Sequence, residues 1–243
     1  MTTLIRMKKI GIDICDFHTH LLPRADHGSS SVETSICQLN LAEDCGVSRI
    51  VATPHFYPHR EKLSSFLAKR KKSYTSLLPH IPSAIDVRLG AEVLFCGNIE
   101  NIPEVEQLCI SGSSTMLIEL PFAEFDTNEL SSLGALYDRG INIVIAHAER
   151  YSADIIDECL DYGASLQINA SSISHGLSGD KRIIEWLDRG VVSALGTDIH
   201  GRDKSAYKNF RKAIKKIDRY IEGIKERSDI MWQSFLPYAA EIV

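Results

Sequence analysis

The 243 residues carry a formal net charge of −5 at pH 7, with 44% hydrophobic and 24% charged side chains, the balance of an ordinary soluble globular chain. That acidic balance argues against a protein whose main affinity is for nucleic-acid phosphates through a broad basic surface. No run of about 18 apolar residues offers a membrane span, and the N-terminal MTTLIRMKKIGID has positive charge but no apolar segment before a cleavage site, so a cytoplasmic location without membrane insertion is expected.

Seven short runs rich in Ile, Val and Leu recur along the chain: Ile10–Phe17, Arg49–Thr53, Val87–Ala91, Thr115–Leu120, Asn142–Ala146, Ser165–Ile168 and Val191–Gly196. Between them, helical periodicity predicts helices over Val32–Asp44, Arg60–Leu78, Asn128–Arg139, Ala153–Tyr162 and Lys181–Arg189, and a long one from Lys204 to about Ile221. Gly46, Gly140, Gly163 and Gly190 follow four of these helices and suit a left-handed cap before the next strand. In the last helix Tyr207, Phe210, Ile214, Ile217 and Ile221 recur at spacings of three and four, which is the pattern of a core-facing outer helix. Near-continuous apolar strands alternating with helices are what a buried parallel sheet requires. The expectation is therefore one α/β domain over residues 1–243, a barrel of seven strands, with no linker to divide it.

The six cysteines, Cys15, Cys37, Cys45, Cys96, Cys109 and Cys159, are scattered and form no C-x-x-C pair, so reduced thiols are expected. None is followed by Arg at the sixth position after it. The chain thus lacks the C-x5-R phosphate loop, and phosphatase chemistry here would have to use something other than a thiolate.

Ionisable residues fall at the ends of the apolar runs. The first leads into His18 and His20, the second into His55, the third into Glu92, the fourth into Glu119, the fifth into His147 and the seventh into Asp198 and His200. In a parallel barrel the C-terminal ends of all strands meet at one mouth. Five imidazoles and three carboxylates gathered there would be electrostatically unfavourable unless cations lay between them. In His-x-His and Asp-x-His the paired residues lie two apart, on the same face of an extended strand, so both can grip one ion.

The segments DFHTH, TPHFY, GAEV, LIELP, IAHAERY and GTDIH resemble the PHP (polymerase and histidinol phosphatase) superfamily, most closely its bacterial protein-tyrosine phosphatases of capsule and exopolysaccharide synthesis. The first and last mark the superfamily; IAHAERY with LIELP points to the tyrosine-phosphatase branch. The resemblance runs from about residue 12 to residue 202 and implies a distorted seven-stranded (β/α) barrel of PHP type. It implies two or three divalent ions, manganese foremost with Fe, Mg or Zn as alternatives, held by His18, His20, His55, Glu92, Glu119, His147, Asp198 and His200. It implies phosphate binding by Arg150 and, with less support in the motif, by Arg202. The substrate it implies is a phosphotyrosine protein or peptide, the tail of a bacterial tyrosine kinase.

The chain departs from this pattern twice. Where the family has a pair of aspartates before a glycine, this sequence reads Ala25-Asp26-His27-Gly28. His27 stands in the ligand position, and an imidazole there adds no negative charge. Arg202 also follows the Asp198-x-His200 motif more closely than in the family. His27 and His59 are candidates for the acid that assists the leaving group, and Phe56, Tyr57, Phe122 and Tyr151 for packing against a phenyl ring. Rival readings are a small-molecule phosphatase such as one for histidinol phosphate, a phosphodiesterase or nuclease, and a non-catalytic metal-binding barrel.

Overall fold

A computed structural model describes residues 14–122, 125–176 and 181–233. Among these residues nine parallel strands form one sheet: β1 Asp16–Thr19, β2 Arg49–Ala52, β3 His55–Phe56, β4 Asp86–Leu89, β5 Glu92–Leu94, β6 Thr115–Glu119, β7 Asn142–Ile145, β8 Ser165–Asn169 and β9 Val192–Gly196. Their order is β3-β5-β6-β7-β8-β9-β1-β2-β4. The expected count of seven is thus corrected to nine, because two chain segments each form two strands. The second breaks at Thr53-Pro54, where proline has no N–H to donate, and the third breaks at Gly90-Ala91. Below the breaks β2 pairs with β4 from Arg49↔Asp86 to Ala52↔Leu89; above them β3 pairs with β5 at His55↔Glu92. The first predicted run is also shifted: β1 begins at Asp16, and residues 10–13 lie outside the described part.

This order curls the sheet. β3 and β4 stand at opposite ends of it, yet β3 follows β2 in the chain across only Thr53 and Pro54, and β2 is the neighbour of β4. The two ends are therefore tied together by the backbone itself. Strand alternation then sorts the apolar side chains into two clusters. Phe17, Val51, Leu117, Val144 and Ala194 pack with Met231 and Trp232, while Ile50, Met116, Ile118, Ile143, Ile145 and Leu195 belong to the larger cluster shared with the helices.

The helices are α1 Val32–Cys45, α2 Leu63–Leu77, α3 Ser131–Asp138, α4 Ala153–Asp161, α5 Ala170–Gly176, α6 Lys181–Asp188, α7 Ala206–Lys216 and α8 Asp218–Gln233. Ser31 caps α1 by accepting from the Thr34 N–H, and Gly46 ends it at φ 81°, a conformation that costs glycine nothing. Gly140, Gly163 and Gly190 likewise have positive φ, as their positions after helices predicted. The single long helix expected from Lys204 to Ile221 is two. It breaks at Ile217, although Tyr207, Phe210, Ile214, Ile217 and Ile221 are all buried. α8 carries Trp232 to the curled sheet, where the Arg88 guanidinium lies 3.9 Å from its ring centroid. α5 was not expected from the sequence.

Packing is close where β9 meets β1. A Cβ on Gly196 would lie 2.6 Å from the His18 Cβ and 2.8 Å from the Gln167 Nε2, closer than atoms can pack without shifting. We expect Gly196→Ala to destabilise the fold by about 1–3 kcal/mol through overpacking. Gly176→Ala, with nothing within 4 Å of the added methyl, should stay within about 0.5 kcal/mol of the parent. Urea denaturation of both variants checks the contrast, which fails if the two shift alike.

Candidate active site

The strand ends bring the nominated side chains to one mouth. Glu92, first residue of β5, sits at its centre and is 1% exposed. Its Oε2 lies 3.2 Å from both His18 Nε2 and His20 Nε2 and 3.0 Å from His55 Nδ1, while its Oε1 lies 2.9 Å from His147 Nε2. Glu119, which ends β6, faces His55 at 3.6 Å and His147 at 3.5 Å. Asp198, two residues after β9, has Oδ1 at 3.4 Å from His20, 3.7 Å from His18 and 3.5 Å from His200. The His27 ring lies 4.8 Å from those of His55 and His200. All nine nominated ligand residues thus come together. Two of them, His147 at φ 34° and Asp198 at φ 52°, occupy the left-handed region, a strain that bulky side chains adopt at functional sites.

The donor set fits divalent cations. Ligand atoms converge in three groups, His20 with His55 and His200, His18 with His20 and Asp198, and His55 with Glu92 and Glu119. They are oxygen and imidazole nitrogen without thiolate, which suits Mn, Fe, Mg or Zn. Although Glu92 Oε2 and His55 Nδ1 are buried and 3.0 Å apart, neither makes a hydrogen bond of acceptable geometry, and His200 Nε2 has none either. Buried polar atoms seldom stay unpaired. These atoms aim past one another into a shared space, as ligands of an ion do.

Electrostatics gives the same answer. Burial works against charge on every member. It is outweighed at Glu92 by His18 and the hydrogen bond from His147, and at Asp198 by His18 and His20, so both carboxyls sit below the usual carboxylate range. Burial likewise opposes protonation of the imidazoles. Glu92 and Asp198 override it at His18, Asp198, Asp26 and Glu92 at His20, and Glu119 and Glu92 at His147, whose pKa rises to about 9. The carboxylates demand positive charge. Protons on imidazole supply it in the metal-free cluster, and cations would displace them.

Residues beyond the nine nominated ligands hold the cluster in place; of these the sequence pointed only to the Asp26–Gly28 segment. Asp26 accepts from His20 Nδ1 at 2.7 Å and from the N–H groups of His55 and Gly28 at 3.0 and 2.8 Å. Both its oxygens are engaged away from the mouth, so Asp26 orients His20 while His27 faces the cluster. Gly28 permits this: a Cβ there would meet the His20 Cβ at 2.2 Å. From β8, Gln167 Oε1 lies 3.0 Å from His18 Nδ1 and accepts from the His147 N–H at 2.8 Å. Asn169 donates to Asp198 Oδ2 at 3.0 Å. Such partners fix imidazole tautomer and direction. A signal was present: β8 grows from the one run of seven without a ligand residue type, and Gln167 and Asn169 lie two apart on one face of it.

Arg150 lies at the rim, its side chain 42% exposed and its Nη2 2.7 Å from Asp198 Oδ2. It lines, with Tyr57 and Phe122, a cavity of about 600 Å³ over the cluster. Arg202 is exposed and does not line that cavity; its charge is felt by Glu33. His59 opens instead onto a neighbouring groove with Arg60 and Lys62. Of the four aromatic candidates, Phe56 is turned away: it is 1% exposed and packs on Phe66 in the core. Tyr151 is buried, its hydroxyl donating to the Leu120 carbonyl at 3.0 Å.

The family model for capsular polysaccharide synthesis, CpsB/CapC, matches residues 14–233. The chain belongs to the CpsB/CapC family. It is 30% identical to the CapC protein of Staphylococcus aureus over 196 residues, 76% of each chain. It is 28% identical to tyrosine-protein phosphatase CpsB of Streptococcus pneumoniae over 207 residues, 77% of this chain and 83% of that one. In fold it matches a solved structure from work on YwqE of Bacillus subtilis and CpsB of Streptococcus pneumoniae, described as metal-dependent tyrosine phosphatases. The TM-score is 0.77 at 20% identity, over 92% of this chain and 96% of that one. The resemblance read from the six motifs is borne out. Among the described residues, no helix is long and apolar enough to cross a membrane.

The raised imidazoles give a pH dependence of known sign. A group whose folded pKa is raised contributes stability that is present below its unfolded pKa and lost as pH rises through the folded one. For His147 that window runs from 6.5 to about 9. EDTA-treated protein is therefore expected to lose thermal stability across this range, whereas protein saturated with Mn²⁺ should hold its Tm, since the cations replace the lost protons. Parallel Tm profiles for the two forms would show that cations do not compensate the cluster.

Proposed function

We propose that this CpsB/CapC protein is a metal-dependent protein-tyrosine phosphatase, a phosphoric monoester hydrolase acting on phosphotyrosine in a protein segment. The observation that carries the reading is the gathering of nine ligand-type residues, Glu92 at their centre, beneath an exposed arginine, in a chain whose relatives include named tyrosine-protein phosphatases. His18, His20, His55, Glu92, Glu119, His147, Asp198 and His200, joined by His27, would hold two or three divalent ions, with manganese as the working metal. When bound, such ions neutralise phosphoryl oxygens, lower the pKa of water and stabilise the leaving oxygen.

The chain's own residues do the rest. Arg150 turns from Asp198 to the incoming dianion and clamps two equatorial oxygens with its planar guanidinium, which a lysine could not reproduce. His27, at the mouth and facing the same space as His55 and His200, would use one ring nitrogen on an ion and direct the N–H of the other toward the departing phenolate oxygen. No cysteine lines the cavity. Burial pushes the thiols of Cys109 and Cys159 up to about 12, so neither is a thiolate at neutral pH. The motif resemblance implies a bacterial tyrosine kinase of capsule or exopolysaccharide synthesis as substrate, in keeping with a family of capsular polysaccharide synthesis, and we place its action in the cytoplasm.

The test is kcat/KM with Mn²⁺ on matched phosphotyrosine and phosphoserine peptides, histidinol phosphate, a bis-aryl phosphate and a single-stranded oligonucleotide. The phosphotyrosine peptide should be the best substrate, and exhaustive chelation should abolish its turnover. Histidinol phosphate turned over about ten-fold faster or more would sink the substrate assignment and leave the metal-phosphoesterase assignment standing; a ratio near ten corresponds to about 1.4 kcal/mol in transition-state binding.

A further inference from the structure

Among the described residues four large apolar side chains stand exposed: Leu78, Phe122, Tyr137 and Ile230. Of these only Phe122 lines the cavity over the cluster, and at 67% it is the most exposed. A ring left in water at the lip of a cavity otherwise rich in charged groups contributes little to folding. Its backing is specific. Phe122 lies nearly parallel to the His147 ring, at 6.0 Å and 19°, and to the Tyr151 ring, at 5.7 Å and 24°. Both of those rings are buried, so they support one face of Phe122 and leave the other open.

Tyr57 lines the same cavity and is placed differently: it is stacked on His55 at 5.2 Å and 18°. Tyr57 already carries the Arg60 guanidinium 4.8 Å from its centroid. Phe122 is therefore the ring with a face to offer. Glu92 and His147 are each 1% exposed, whereas Phe122, stacked on His147, is 67% exposed, so the ring stands between the buried cluster and solvent. A phenyl ester held over the cluster meets a ring face there on which to stack, and a methylene does not.

We infer that Phe122 selects aryl over alkyl phosphate esters, its open face stacking on the phenyl ring while Arg150 binds the phosphate in the same cavity. The inference rests on the phosphatase reading above and names the residue that sets its substrate class. Aromatic stacking of this kind discriminates by about three- to ten-fold.

The experiment uses the full chain loaded with Mn²⁺, as Phe122→Ala and Phe122→Tyr beside the parent. KM is measured for the phosphotyrosine peptide, and Ki for phenylphosphonate and methylphosphonate as competitive inhibitors. Phe122→Ala should weaken the peptide and phenylphosphonate about three- to ten-fold and leave methylphosphonate within about two-fold, while Phe122→Tyr restores the parent values. Equal weakening of both phosphonates, or an undiminished preference for phenylphosphonate in Phe122→Ala, would overturn the inference with the phosphatase reading intact. A parent that ignores the phosphotyrosine peptide while hydrolysing another phosphate ester would overturn both.

Discussion

A carboxylate sealed from water among imidazoles is the constraint on which the rest of this molecule depends. Glu92 cannot keep its charge at 1% exposure unless positive charge surrounds it, because an isolated buried carboxylate costs several kcal/mol or more. Four imidazoles touch its two oxygens. Two more carboxylates stand beside it, so the imidazoles must either hold protons or share cations. The parallel sheet exists in the form it does to deliver these groups to one place: they come from β1, β3, β5, β6, β7 and the segment after β9, and the backbone tie between β2 and β3 curls the ends inward.

Support around the cluster is as specific as the cluster itself. Asp26, Gln167 and Asn169 hold His20, His18 and Asp198, and Gly28 and Gly196 leave space that no Cβ could enter. Asp16 anchors the other side of β1 by accepting from the Thr197 N–H and hydroxyl at 2.9 and 2.7 Å. Thr197 directly precedes Asp198, whose left-handed backbone is thereby held. Structure and chemistry meet at such positions: a shift of an ångström there would misdirect a ligand without unfolding the domain.

Much of the site is legible in the sequence because one geometric rule, that parallel strands end together, turns distant residues into neighbours. The two H-x-H-type pairs need only the period of a strand. The same period would have excluded Phe56, which adjoins His55 and so must point the other way, and kept Tyr57, which lies two residues from it. The break at Gly90 is hidden because the apolar run Val87–Ala91 continues across it, and β3 beyond Pro54 is hidden because it is only two residues long. The split of the last helix at Ile217 is hidden for a similar reason, since buried residues keep helical spacing through the break. Gln167 and Asn169 carry no charge, and neutral amides on a strand announce nothing until the pairing shows which way they face. Arg202 resembles Arg150 in sequence; only the path of the loop after Asp198 places it outside the mouth.

The claim that cations complete this cluster is tested most directly by counting them. Anomalous diffraction from crystals grown with Mn²⁺, together with elemental analysis of the same preparation, should show at least two ions bounded by His18, His20, His55, Glu92, Glu119, His147, Asp198 and His200. The Glu92→Gln protein, still folded, should lose occupancy among them. A parent protein with full phosphatase activity and no metal density at the mouth would contradict the account.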